Sequence, residues 1–360
     1  MLESTPQKDG VKCMVTTADQ EVESLLIFRL GSVGDTVVAL PGFRLIKQAF
    51  PNAKRVVLTN KPVNHQACAL ELILDNMDLA DSFIDYPCHV SLLQKIFLLR
   101  KIIKENHFTK MIYFHQSRSW LQAWRDYLFF KFCGIKKIIG LSLFQHGFQY
   151  RFDRKTNLYE SEYQRLARQL KALGQIDWTD KSITELALTE DELKKARDII
   201  ETDIQNQPFI VCSIGTKHPM KEWGEDNWKA MIQSIAKQYT NHCLVFIGVQ
   251  SEYARSEALL SLWQGPTVNL CGKLSVRESA AILKYATIFI GHDSGPMHLA
   301  ASVGTACVAI FSRHAKPGCW YPYGSQHKII YPPGDSIRSI TVESVIREIH
   351  SALGVIACKA

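Results

Sequence analysis

The stretch L-L-I-F-R-L-G-S-V-G-D-T-V-V-A-L-P, residues 25–41, reads as a β-strand running into a glycine-containing loop and then into a helix. Leu25–Leu30 is a short run, apolar but for Arg29, that reads as a first strand, and Gly31 and Gly34 let the backbone turn sharply after it. The helical pattern opens near Asp35 and continues to about Ala49, with Pro41 as an expected interruption or kink. A strand feeding a helix through a tight loop is half of a βαβ unit. The loop of such a unit lies at the C-terminal edge of the sheet, where open α/β folds bind ligands.

The same alternation extends in both halves of the chain. Further strands are expected at Arg55–Thr59, Ser82–Tyr86, Met111–Phe114 and Lys137–Gly140, and a helix near Tyr159–Leu173. After a polar stretch, Gln175–Glu192, that lacks a strand period, the series restarts. Its strands are expected at Phe209–Ser213, Leu244–Ile247, Val268–Leu270, Ile288–Ile290 and Cys307–Phe311. Two consecutive α/β series imply two Rossmann-like domains with parallel sheets facing a central cleft. The expected division is a polar N-terminal extension over 1–23, a first domain over 24–175, a linker over 176–205 and a second domain over 206–335. A C-terminal segment, 336–360, carries the helical pattern Val342–Leu353, a candidate to cross back to the first domain.

With 360 residues the chain is long enough for two such domains, and its 46% hydrophobic and 21% charged composition is that of a globular protein. The ten cysteines include no C-x-x-C pair, and several lie inside apolar runs, so neither a zinc site nor a disulfide framework is expected. The first two dozen residues lack the apolar core of a secretory signal, and no run of about 18 apolar residues suggests a membrane span. The expected location is the cytoplasm, with the inner face of the cytoplasmic membrane as a peripheral site.

The loop after the first strand is not a Walker loop, since no G-K-[ST] follows, and its G-x-x-G is a poor dinucleotide fingerprint. From spacing alone Asp35 reads as a helix N-cap. The second telling segment is I-G-H-D-S-G-P-M-H-L-A-A-S-V-G-T, residues 290–305, a strand followed by an Asp-Ser-Gly-Pro helix start. Such a start leaves backbone N–H groups and a partial positive charge free for an anion, although a plain capped helix has the same pattern. Ser213-Ile214-Gly215-Thr216-Lys217 closes the first strand of the second series, and Lys221-Glu222-Trp223 follows closely.

Together the two segments resemble glycosyltransferase family 9, whose best-known members are the lipopolysaccharide heptosyltransferases. The resemblance implies an α/β fold of the GT-B type and an inverting, metal-independent transferase with no cofactor beyond its donor substrate. That donor is a nucleotide-diphosphate sugar, ADP-heptose in the best-known members, and the acceptor a lipopolysaccharide-core or related glycan. It implies Asp35 as general base, with Gly31, Ser32 and Gly34 forming the loop around it. Ser294, Gly295, Met297 and His298 would line the donor diphosphate and Asp293 contact the donor sugar. The same resemblance puts small hydroxyl residues, here Ser213 and Thr216, at the donor end of the strand. A phosphate-binding lysine follows, either Lys221 or its competitor Lys217, and Glu252 is a candidate for a ribose hydroxyl. A nucleotide-sugar epimerase of related fold and a non-catalytic binder of nucleotide sugars or glycans are the alternatives.

Charge adds a separate inference. Ser91–Lys155 holds thirteen Lys or Arg and three Asp or Glu, a net +10 in a chain whose total is +7. Lys95, Arg100, Lys101 and Lys104 alternate there with Leu92, Leu93, Ile96, Leu99 and Ile103, and aromatic residues follow. Basic and apolar residues interleaved this way suit an anionic glycolipid acceptor or membrane surface; a helix packing its apolar face on the sheet has the same pattern. No nucleic-acid partner is expected.

Overall fold

The computed structural model describes residues 23–60, 70–117, 119–144 and 147–357. Apart from Glu23, the expected N-terminal extension lies outside the described residues, as do Cys13, Cys68 and Cys358. The other seven cysteines are free thiols, and all but Cys88 are buried.

The first sheet contains β1 (Ser24–Phe28), β2 (Lys54–Thr59), β3 (Ser82–Asp85), β4 (Lys110–Tyr113) and β5 (Lys137–Ile139), all parallel, in the order β3-β2-β1-β4-β5. A short antiparallel pair, β6 (Phe152–Asp153) and β7 (Leu158–Tyr159), separates it from the second sheet. That sheet contains β8 (Phe209–Ser213), β9 (Cys243–Phe246), β10 (Thr267–Asn269), β11 (Ile288–His292), β12 (Cys307–Ile310) and β13 (Lys328–Ile330), parallel, in the order β10-β9-β8-β11-β12-β13. The central strands β1, β8 and β11 are buried almost end to end, which is why they read as continuous apolar runs. In each sheet the order reverses beside the first strand, at β1/β4 and at β8/β11. Those reversals are the topological switch points where open sheets leave a crevice.

The helices of the first half are α1 (Val33–Val37), α2 (Leu40–Ala49), α3 (Glu71–Leu74), α4 (Leu92–Glu105), α5 (Trp120–Cys133) and α6 (Glu162–Gln169). The single helix expected over Asp35–Ala49 is therefore two, starting two residues earlier and broken at Val38–Ala39. Pro41 falls in the first turn of α2, where its missing N–H removes no helical bond. The helix expected at Tyr159–Leu173 starts late, because β7 takes Leu158–Tyr159 and Ser161 caps α6 by accepting from the Gln164 N–H at 3.2 Å.

The second half adds α7 (Glu190–Thr202), α8 (Glu225–Ala236), α9 (Tyr253–Leu260), α10 (Val276–Tyr285), α11 (Gly295–Ser302) and α12 (Val342–Ala357). The last helix packs on α8, β12 and β13 of its own domain instead of crossing back. Its Val345, Ile349, Ala352 and Leu353 recur at helical spacing and bury beside Trp228 and Ile232.

One apolar cluster joins the halves: Leu25, Phe43 and Phe114 from the first belong with Val211, Met297 and Phe311 from the second. Polar ties reinforce it. Buried Arg277 of α10 donates to the Ile73 carbonyl of α3 at 2.9 Å and pairs with Glu192 of α7 at 2.5 Å. Main-chain bonds run from Tyr159 N–H to the Pro317 carbonyl and from Glu162 N–H to the Cys319 carbonyl, both 2.8 Å.

Candidate active site

Asp35 stands in the first turn of α1, just after the loop that leaves β1 at the switch point of the first sheet. Ser32 is the N-cap of α1 and Asp35 the third helical residue, so Asp35 is not itself the cap. Its Oδ2 reaches back to accept from the Ser32 N–H at 2.8 Å and the Ser32 hydroxyl at 3.0 Å. Its Oδ1 accepts from the Gln116 side-chain amide at 2.5 Å. Gln116 follows β4, across the same switch point. Sequence reasoning passed over it, although its place just beyond a predicted strand end was a usable signal. Buried Arg29 donates to the Asp35 carbonyl and to the Phe114 carbonyl, tying both loops beneath the carboxylate. Both carboxylate oxygens are thus oriented by hydrogen bonds on a half-buried residue, a placement suited to a general base.

α11 leaves β11 at the switch point of the second sheet and packs directly against α1. A Cβ at Gly34 would stand 2.9 Å from His298 Cδ2, and one at Gly295 would stand 2.8 Å from Val33 Cβ. Gly34 and Gly295 give space between the two helices, and neither Gly31 nor Gly34 has the positive φ that the sharp turn expected from sequence would use. The Ser294 hydroxyl donates to the His292 carbonyl at 3.3 Å and gives α11 no side-chain cap. Met297 is fully buried in the apolar core, so only its backbone can reach an anion there.

Lys221 Nζ meets Asp293 Oδ2 at 2.5 Å, in front of α11. Its loop is pinned from behind: Trp223 is buried, its indole N–H donates to the Ile340 carbonyl at 2.9 Å, and its main-chain N–H donates to His292 Nε2 at 3.1 Å. Lys217 is exposed. Ser213 is buried at the end of β8, and the Thr216 hydroxyl is engaged with residue His218 of its own loop. Glu252 lies over the ends of β8 and β9, where a Cβ at Gly215 or Gly248 would overlap its carboxylate. Burial pushes that carboxyl above its ordinary value, opposed by the Val249 N–H, which donates to it at 3.2 Å. Among the described residues no three His, Cys, Asp or Glu side chains are grouped to hold a metal ion.

His292 and His298 are buried, and burial pushes each imidazole from 6.5 down to about 4. Glu222, Arg255, Asp293 and Lys221 act on the first; Asp293, Asp35, Lys221 and His327 act on the second. Between these limits the unfolded chain binds protons that the folded chain does not. Stability therefore falls as pH drops from 6.5 towards 4, with a slope of up to about 1.4 kcal/mol per pH unit for each histidine. Urea melts across that range should show the decline, and His298→Gln should flatten it. An unchanged slope in the variant would remove His298 from this account.

Two Rossmann-like domains meeting at their switch points make this a fold of the GT-B type. The family model described as "Glycosyltransferase family 9 (heptosyltransferase)" matches residues 96–339, and the chain belongs to that family. A curated relative, the lipopolysaccharide core heptosyltransferase OpsX of Haemophilus influenzae, is 25% identical over 148 residues, 41% of either chain. The matched stretch spans 41–44% of the length of the first curated heptosyltransferases it resembles. Among solved structures, a glycosyl transferase family 9 protein from Veillonella parvula superposes with a TM-score of 0.68 at 18% identity, over 92% of this chain and 98% of that one. Escherichia coli heptosyltransferase WaaC, solved with ADP-2-deoxy-2-fluoro heptose, has a TM-score of 0.56 at 16% identity, over 91% and 99%.

Proposed function

We propose that the protein transfers a sugar, heptose from ADP-heptose, to a hydroxyl of a lipopolysaccharide-core glycolipid at the inner face of the cytoplasmic membrane. The observation that carries this reading is the packing of α1 on α11, with an oriented carboxylate on one side and an uncapped helix start with a lysine on the other. Asp35 takes the proton of the acceptor hydroxyl as that oxygen bonds to the anomeric carbon with inversion. The bond from that carbon to the diphosphate breaks, and the nucleoside diphosphate leaves. The α11 N–H groups and Lys221, released from Asp293, take up the charge that grows on it. Glu252 accepts from a ribose hydroxyl. The donor name of the WaaC structure and the OpsX relative support the choice of substrates.

Incubation with ADP-heptose and a delipidated core acceptor, read by mass spectrometry, tests the reading. Sugar transferred to the acceptor supports it. Donor hydrolysis alone, donor epimerisation or binding without turnover counts against it. Lys221→Ala should weaken ADP binding about tenfold or more, the scale of a lost charged hydrogen bond, while Lys217→Ala changes it little. EDTA should leave turnover intact. Strict dependence on Mg²⁺ or Mn²⁺ would mean that a cation, and not the helix start, carries the diphosphate charge.

A further inference from the structure

The outer side of α4 and α5 is apolar where a soluble surface should be polar. The apolar residues of α4 do not all pack on the sheet: Leu99 and Ile103 do, but Leu93 and Phe97 are 80% and 70% exposed. On the adjacent α5, Leu121, Leu128 and Phe132 are 62%, 59% and 62% exposed, with Trp120 and Trp124 beside them. Leu93 and Phe97 lie one turn apart on α4, and Leu121, Trp124, Leu128 and Phe132 follow helical spacing on α5, so each set lines one face. The helices run side by side, and Arg100 bridges them by donating to the Phe132 carbonyl at 2.7 Å. Clustered exposed side chains of this size mark an interaction surface.

Charge selects the partner. The two helices carry Lys95, Arg100, Lys101, Lys104, Arg125 and Lys131 against only Glu105 and Asp126, and Asp126 is buried on the Tyr113 hydroxyl. A two-fold contact with a second copy would set these cations against one another. An anionic bilayer accepts both the apolar side chains and the cationic flank.

We propose that α4 and α5 form a membrane-insertion face, with Leu93, Phe97, Trp120, Leu121, Trp124, Leu128 and Phe132 entering the boundary between headgroups and acyl chains. Amphipathic helices enter that boundary by about 5–10 Å. This goes beyond the charge attraction inferred from sequence: the cations orient the protein, and apolar burial holds it. Several of the cations are already engaged at the protein surface, Lys95 over the Tyr86 ring at 4.9 Å and Arg100 over Phe132 at 5.4 Å. α5 begins just after the loop carrying Gln116, so the face adjoins the Asp35 side of the cleft.

Flotation with vesicles of phosphatidylethanolamine and phosphatidylglycerol tests the proposal. The protein should remain bound in 1 M NaCl, where screening extends only about 3 Å, and brominated acyl chains should quench its tryptophan fluorescence. Leu93→Gln, Phe97→Gln, Leu121→Gln and Leu128→Gln together should weaken vesicle binding about a hundredfold or more, with melting temperature and ADP binding unchanged. Any of three results overturns it: vesicle binding by the folded variant equal to the parent's, loss of parental binding in 1 M NaCl without quenching, or a parental dimer that the variant disrupts. The quenching measurement needs no variant. Transfer to the delipidated acceptor is scored separately, so failure of the catalytic reading is distinguishable from failure of this one.

Discussion

Asp35→Asn is expected to lower kcat by on the order of a hundredfold or more, because an amide cannot accept the acceptor proton in the transition state. Asn keeps one oxygen that can receive the Ser32 N–H, the bond Asp35 Oδ2 makes at 2.8 Å, so the start of α1 should survive. ADP affinity should also survive, since the carboxylate lies on α1 and the diphosphate is assigned to α11 and Lys221. Steady-state turnover, ADP titration and a thermal melt on one preparation separate the possibilities. Near-normal kcat with an earlier melt would reduce Asp35 to the capping-box partner of Ser32.

Arg165→Met is expected to destabilise the fold by about 3–5 kcal/mol, the scale for stripping one partner from a buried ion pair. Arg165 and Glu162 of α6 are fully buried, joined at 2.6 and 2.7 Å, and the Tyr150 hydroxyl donates to the same carboxylate at 2.8 Å. Without the guanidinium, Glu162 keeps its burial and loses its countercharge. Replacing both residues, Glu162→Leu with Arg165→Met, should recover much of the loss, because no charge is then left unpaired. Arg165 also donates to the His115 carbonyl at 2.7 Å, next to Gln116. The single variant should therefore loosen the loop that orients Asp35 and lower turnover as well. Urea midpoints of the two variants decide it: a loss below about 1 kcal/mol for Arg165→Met would mean the pair is replaceable by neighbours.

Reading the sequence found what depends on local pattern. Leu25–Phe28 and Phe209–Cys212 are apolar without interruption because central parallel strands are covered on both faces, so β1 and β8 were legible with small boundary errors. β13 was not, since Lys328–Ile330 is three residues long and shows no period. Asp35 and the α11 start stood out as candidates because polar residues at a strand end have a local signature. The Met297 side chain turns into the core, because an apolar side chain in a helix start can face the ligand or the core and spacing does not distinguish the two, which leaves its backbone as the part that can line an anion site.

What the sequence determined by itself was the succession of two α/β series and the residues at the carboxyl ends of their strands, since hydrophobic period and turn chemistry are properties of neighbours along the chain. Tertiary structure alone decided which distant residues meet. It set His298 against Gly34 and Val33 against Gly295, brought Gln116 to Asp35 and Lys221 to Asp293, and turned Leu93 and Phe97 outward on α4. It also kept α12 on the second sheet. These contacts follow from the packing of whole elements, whose energies depend on every face at once, and no window of sequence contains them.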